Sequence, residues 1–68
     1  MTDKNKLRAK MALHGMTDYE LADAVGMSRQ SMSYKINCKR DFTVKEIDAI
    51  SKTLGLTLEE RDEIFFAN

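Results

Sequence analysis

The chain of 68 residues contains no proline and no tryptophan, one cysteine and three glycines. A single cysteine excludes a framework of intrachain disulfides and suits a reducing compartment. Because proline is absent and the glycines fall at expected helix ends, nothing in the sequence interrupts its helical segments. Apolar residues make up 43% of the chain, which excludes a wholly disordered protein. These counts predict one all-α domain spanning residues 1–68, near the lower size limit for an independent hydrophobic core.

The sequence also has none of the patterns that mark membrane, secreted or catalytic proteins. No apolar run approaches the length that spans a bilayer, and the first ten residues contain no signal-like apolar segment, so we expect a cytoplasmic protein. There is no glycine-rich phosphate loop and no zinc-spaced Cys/His cluster, and His14 and Cys38 belong to different predicted elements. We therefore expect no enzyme activity, no metal, no other cofactor and no small-molecule ligand.

The segment from Thr17 to Asn37 is typical of two short helices joined by a tight turn. Thr17 begins a capping-box pattern, Gly26 can take the left-handed conformation that ends a helix, and Ser28 is a favourable N-cap for the second helix. Between these signals the first helix carries an apolar stripe at helical spacing, formed by Leu21, Ala22 and Val25. The pattern predicts a helix-turn-helix unit in the centre of the chain.

The second helix of this unit has a polar face. At about 100° per residue, Met32 projects toward the core, whereas the opposite side carries long or hydrogen-bonding side chains. These are Arg29, Gln30, Ser33 and Tyr34. Arginine can bind a guanine edge and glutamine an adenine edge in the DNA major groove. A solvated helix face is the simpler alternative, but the surrounding two-helix pattern favours DNA recognition.

The net charge of zero conceals an uneven distribution. Residues 1–45 contain nine Lys/Arg and five Asp/Glu, a net charge of +4, whereas residues 46–68 have a net charge of −4. From Ala24 to Arg40 there are four basic residues and no acidic one. Affinity for a polyanion depends on the local field of the contacting face, so this distribution permits phosphate binding.

The run ELADAVGMSRQSMSYKINCKRDFT resembles the helix-turn-helix of the phage Cro and repressor (XRE-type) family, and the similarity continues through TVKEIDAISKTLGLTLEERDEIFF. The matching residues are Leu21, Ala22, Val25, Gly26, Ser28, Met32 and Asn37 to Arg40. The resemblance implies a compact five-helix lambda-repressor-like fold. It further implies a sequence-specific regulator of transcription, a phage-like or mobile-element repressor that binds a palindromic operator in double-stranded DNA as a homodimer.

The resemblance also implies roles for individual residues. Base-edge contacts are expected from Arg29, Gln30, Ser33 and Tyr34. Contacts with the DNA backbone are expected from Ser28, Ser31, Lys35, Asn37, Lys39 and Arg40. Asp18 is expected to buttress Arg29. The family usually has glycine where Cys38 stands, so either Asn37 makes the left-handed turn or Cys38 accepts some strain.

The second half of the chain has two further patterns. Val44, Ile47, Ile50 and Leu54 recur at helical spacing and predict a core stripe. Three consecutive apolar residues, Ile64, Phe65 and Phe66, are too many for one short helix to bury completely. We expect one or two of them to pack inward and at least one to stay near the surface, and we predict a dimer interface formed by these three residues. The alternative is that all three complete the core of a monomer.

The acidic final helix, the neutral net charge and this aromatic end also permit a second function. The chain is then a helix-turn-helix module that binds another protein, such as an antitoxin-like or anti-repressor component.

Overall fold

Five α-helices joined by short turns make up residues 1–67, the part of the chain that the computed structural model describes. They are α1 (Lys4–Leu13), α2 (Asp18–Val25), α3 (Arg29–Ile36), α4 (Val44–Thr53) and α5 (Leu58–Phe65). No strand occurs among these residues, and none of their helices is long and apolar enough to cross a bilayer. The predicted all-α, five-helix fold is confirmed. Asn68, the last residue of the predicted domain, lies outside the described residues.

Every helix begins at a residue whose side chain accepts a backbone N–H of the first turn. These N-caps are Asp3, Thr17, Ser28, Thr43 and Thr57. In α2, α4 and α5 a glutamate also accepts the backbone N–H of the threonine, which completes a capping box. Each such cap contributes about 1 kcal/mol, so local sequence determines where the helices begin.

A single hydrophobic core joins the five helices. It is formed by Leu7, Met11, Leu21, Ala22, Met32, Ile36, Phe42, Ile47, Ile50, Leu54, Ile64 and Phe65. Helix α2 packs against α3 and α4, and α5 packs against α1 and α4. The rings of Phe42 and Phe65 meet edge to face, with centroids 5.5 Å apart. The outcome is a body of 26 × 24 × 20 Å in which α3 has one face free.

Two predictions about apolar residues are corrected by the core. Val44, the first residue of α4, is 77% exposed, whereas Phe42, which precedes the helix and is not part of the predicted stripe, is buried in the core. Ile64 and Phe65 are buried within the monomer, so they are not available for the predicted dimer interface. Phe66 remains exposed at the end of α5.

The first residues of the chain are held between two other elements. The backbone N–H of Asp3 donates to the carbonyl of Ile64 at 2.6 Å, and the N–H of Ala67 donates to the carbonyl of Met1 at 3.1 Å. On the other side, the thiol of Cys38 donates to the carbonyl of Thr2 at 3.3 Å. The two ends of the described chain therefore lie together, next to the turn that follows α3.

Helices α2 and α3 end in the same type of turn with different residues. Gly26, with φ of 75°, ends α2, and the N–H of Met27 donates to the carbonyl of Ala22. At the end of α3, Cys38 has φ of 61° while the φ of Asn37 is −83°. Of the two alternatives for this turn, Cys38 therefore takes the left-handed conformation. It is the only non-glycine residue with positive φ among residues 1–67.

The free energy of unfolding of Cys38→Gly is expected to be about 0.5–1 kcal/mol higher than that of Cys38→Ala, since both variants lack the thiol bond to Thr2 and only glycine lacks Cβ. Glycine removes the clash of Cβ in the left-handed region, and part of that gain is offset by greater backbone entropy in the unfolded chain. Urea denaturation measures the change. Cys38→Ala is the matched control, because it removes the same thiol and keeps Cβ. If Cys38→Gly is less stable than Cys38→Ala, the positive φ at this position does not strain a residue that carries Cβ.

An ion pair between Lys10 and Glu60 joins α1 to α5. The hydrogen bond from Lys10, with that from the backbone N–H of Thr57, lowers the pKa of Glu60 from 4.5 to about 2. The pKa of Glu20, in the capping box of α2, is lowered by its bonds to Thr17 without a lysine partner. Glu60 therefore combines a helix cap with an interhelical contact.

Because folding lowers the pKa of Glu60, its contribution to stability is present above pH 4.5 and is lost as the pH falls toward 2. Glu60→Gln is expected to keep the capping box and to make the free energy of unfolding less dependent on pH between about 5 and 2. Urea denaturation across this range measures the slope. Glu20→Gln, the control, should flatten it less. An equal slope in Glu60→Gln and the wild type would show that the ion pair has no effect.

Candidate nucleic-acid interface

Helix α3 is fixed on the body of the protein by Met32 and Ile36, which have no exposed surface. Its N-cap, Ser28, accepts the backbone N–H of Ser31 at 3.1 Å. With these two apolar side chains turned inward, the opposite face of α3 turns outward. That face carries the four predicted base-reading residues, Arg29, Gln30, Ser33 and Tyr34, of which Ser33 is half-buried and the others are exposed.

The four residues form one wall of an open cleft of about 870 Å³ between α3, the start of α2 and one side of α1. The cleft is also lined by Arg8 from α1 and by Asp18 and Tyr19 from α2. Two guanidinium groups and two phenol rings therefore share one concave surface. The structure brings together the side chains predicted for base contact and adds residues from two other helices.

Arg29 interacts with α2, but not with the residue predicted to support it. Its guanidinium carbon lies 4.5 Å from the centre of the Tyr19 ring, and Nη2 lies 3.9 Å from Oδ2 of Asp23. Asp18 instead accepts a hydrogen bond of 3.1 Å from Nη1 of Arg8. The predicted contact between Asp18 and Arg29 is thus corrected: Asp18 is half-buried against α1, where Arg8 balances its charge.

Lys35 is also placed differently from its predicted role. Its Nζ donates to both carboxylate oxygens of Glu46 in α4, at 2.7 and 2.9 Å, and only 12% of its side chain is exposed. Burial by itself would raise the pKa of Glu46, but the bonds from Lys35 and from the N–H of Thr43 outweigh it, and the pKa is lowered. Lys35 therefore joins α3 to α4 and is not turned outward to contact a DNA backbone.

The turn after α3 presents the remaining predicted backbone contacts. Asn37, Lys39 and Arg40 are exposed, and Nδ2 of Asn37 donates to the carbonyl of Ser33 at 2.8 Å. The Nζ of Lys39 lies 5.8 Å from the centre of the Tyr34 ring. Within residues 1–67 neither Lys39 nor Arg40 forms an ion pair. Two exposed cations thus follow α3 directly in the chain, and one of them, Lys39, lies near Tyr34 on its exposed face.

Tyr19, Asp23 and Arg8 line or support this surface and are not among the sequence-predicted site residues. Tyr19 and Asp23 are four positions apart, which places them on one side of α2, and that spacing is a signal in the sequence. Their proximity to Arg29 depends on how α2 packs on α3. Among residues 1–67 no group of His, Cys, Asp and Glu side chains is arranged to hold a metal ion.

Comparison with known proteins agrees with this geometry. A family model for the Cro/C1-type HTH DNA-binding domain matches residues 6–60, which include all of α2, α3 and α4. An uncharacterized HTH-type transcriptional regulator of Methanocaldococcus jannaschii is 37% identical over 57 residues, which are 84% of this chain and 86% of that protein. No solved structure matches the chain. The chain therefore belongs to the Cro/C1-type helix-turn-helix DNA-binding family.

Proposed function

We propose that the protein regulates transcription by placing α3 in the major groove of a specific double-stranded DNA sequence. The observation that carries this proposal is the exposed polar face of α3, fixed outward by Met32 and Ile36. A helix of about 10–12 Å in diameter fits the major groove, where the four base pairs present different patterns of donors and acceptors.

In this arrangement Arg29, Gln30 and Tyr34 contact base edges, with Ser33 as a smaller contributor. Arg29 has the fork geometry for a guanine, and Gln30 can both donate to and accept from an adenine. Nε2 of Gln30 lies 3.4 Å from Oη of Tyr34, one helical turn away, so the two side chains would approach neighbouring bases together.

Backbone contacts would come from both ends of α3. Ser28 and Ser31 lie at its N-terminus, where exposed backbone N–H groups and the helix dipole favour a phosphate. Asn37, Lys39 and Arg40 lie after its C-terminus and supply hydrogen bonds and positive charge. Contacts at both ends would set the register of α3 in the groove without reading sequence.

We further propose that two copies bind a two-fold-related operator, with their α3 helices in successive major grooves about 34 Å apart. One eight-residue helix is about 12 Å long and covers only three or four base pairs, too few for a specific site by itself. Such a dimer would act as a repressor by occupying the operator and excluding other proteins. A phage-like or mobile-element regulator fits this mechanism.

Selection of binding sites from a random duplex library, followed by sequencing, tests the proposal. The wild-type protein is expected to enrich a palindrome whose half-sites are one helical turn apart. Enrichment of a single asymmetric half-site would support sequence-specific DNA binding and contradict the proposed dimer. If no sequence is enriched at low salt, the proposal fails and the helix-turn-helix module that binds another protein becomes the better interpretation.

Arg29→Ala and Lys39→Ala are expected to act differently on the enriched site. Loss of Arg29 should cost about 1–3 kcal/mol and relax the preference at one base position. Loss of Lys39 should weaken binding to all sequences similarly and lower the slope of log affinity against log salt by about 1. Titrations at several salt concentrations measure both effects. If Arg29→Ala weakens binding to all sequences equally, Arg29 contacts a phosphate and not a base.

The proposed dimer contact is limited to Phe66, which is 53% exposed and lies beside Arg61 at the end of α5. Phe66→Glu is expected to reduce the mass measured by sedimentation equilibrium from that of a dimer toward that of a monomer, because it replaces an apolar ring at the contact by a carboxylate that would have to lose its water. Leu58→Glu is the control, since Leu58 lies at the opposite end of α5 and is 71% exposed. A dimer mass retained by Phe66→Glu would exclude this residue from the interface.

A further inference from the structure

We propose that Tyr19 positions Arg29 for one base edge, so that α2 helps to determine the sequence that α3 reads. Asp23 assists it from the same side of α2. The inference rests on the proposed function of Arg29 as a base-reading residue, and it assigns a role to two side chains that would not themselves touch a base.

The primary contact is between the guanidinium group of Arg29 and the ring of Tyr19. A separation of 4.5 Å from guanidinium carbon to ring centroid lies well within the range of a cation–π interaction. Tyr19 is in the first turn of α2 and Arg29 is the first residue of α3, so the contact bridges the two helices of the helix-turn-helix unit. A cation–π contact does not consume the hydrogen-bond donors of a guanidinium group, so those of Arg29 remain available to a base.

Asp23 restricts the same side chain in a second direction. Its Oδ2 lies 3.9 Å from Nη2 of Arg29, and it is one helical turn after Tyr19 on α2. The side chain of Arg29 is nevertheless 61% exposed. Arg29 is therefore held by two neighbours while a large part of it remains open to the cleft.

The other acidic residue near the start of α2 does not compete for Arg29. Asp18 is hydrogen-bonded to Arg8 of α1, so each of the two arginines of the cleft has its own partner on α2. Arg29 therefore contacts Tyr19 and Asp23 and not Asp18. The arrangement is specific to the side chains at positions 18, 19 and 23 and depends on how the fold places α1 and α3 beside the start of α2.

Holding Arg29 before DNA arrives has two physical consequences. A long, flexible side chain loses conformational entropy when it is ordered on binding, and a contact present in the free protein reduces that loss. Two parallel hydrogen bonds to a guanine edge also require a defined orientation of the guanidinium plane, which stacking on a ring provides. Weakening the stack should therefore affect discrimination at one base pair more than general affinity for DNA.

The test measures the DNA affinity of Tyr19→Ala and Tyr19→Phe. Each variant is titrated with the selected operator and with duplexes altered at the base pair for which Arg29→Ala loses its preference. Tyr19→Phe keeps the ring and should retain wild-type discrimination. Tyr19→Ala should reduce discrimination at that base pair by about two- to fivefold, as expected for an exposed cation–π contact. Asp23→Asn should change it in the same direction and by less, because the side chains of Arg29 and Asp23 are 61% and 68% exposed and water screens their attraction.

A double-mutant cycle separates positioning from a direct contact. If Tyr19 acts through Arg29, adding Tyr19→Ala to Arg29→Ala should cause no further loss of discrimination or affinity. The proposal is overturned if Tyr19→Ala discriminates like the wild type. It is also overturned if Tyr19→Phe loses as much as Tyr19→Ala, or if Tyr19→Ala still weakens binding in the Arg29→Ala background, since either result indicates a contact made by Tyr19 itself.

A measurement without DNA distinguishes this inference from the proposed function. The Tyr19 ring should shift the side-chain proton resonances of Arg29 upfield in the wild type and in Tyr19→Phe, and the shift should vanish in Tyr19→Ala. If that shift is present and the wild type selects no sequence, the proposed function fails and the role of Tyr19 fails with it. If the wild type selects a sequence but the shift is absent, only the inference about Tyr19 fails.

Discussion

The complete burial of Met32 and Ile36 is the constraint on which the exposed polar face of α3 depends. A helix of eight residues is not stable by itself in water, so α3 depends on packing against the rest of the protein. Because Met32 and Ile36 make that packing, they also determine the rotation of α3 about its axis. A different rotation would turn Arg29 and Tyr34 toward the body of the protein. A change in the packing of Met32 or Ile36 would therefore also change the direction in which the polar side chains of α3 project.

The ion pairs explain how a chain with no net charge can present a basic surface. Lys10, Arg8 and Lys35 are each paired with an acidic side chain of another helix, and their charges are largely compensated within the fold. Lys39 and Arg40 have no such partner within residues 1–67 and lie together after α3. The electrostatic field of the protein is therefore determined by which cations are paired, a property that the overall composition does not reveal.

The features that could be predicted from sequence are those encoded within a few consecutive residues. The capping patterns at Thr17, Thr43 and Thr57 identify helix starts, and Gly26 identifies an end, because each depends on bonds within one turn. The helical repeat also identifies which side chains of α3 lie opposite Met32. For the turn after α3, local rules left two alternatives, and the bonds of the folded turn place the positive φ at Cys38.

The features that were not predicted involve partners far apart in the chain. Lys35 is paired with Glu46 and Asp18 with Arg8, and neither pairing can be inferred without knowing how the helices pack.

The packing of the helices also brings the first and last described residues together, since a backbone hydrogen bond joins Ala67 to Met1. Between Met1 and Ala67 the chain therefore returns close to its starting point, and a short linker between these two residues would cost little loop-closure entropy. The five helices could then be connected in a permuted order, with the break in an exposed turn far from α3, and the same surface would be retained.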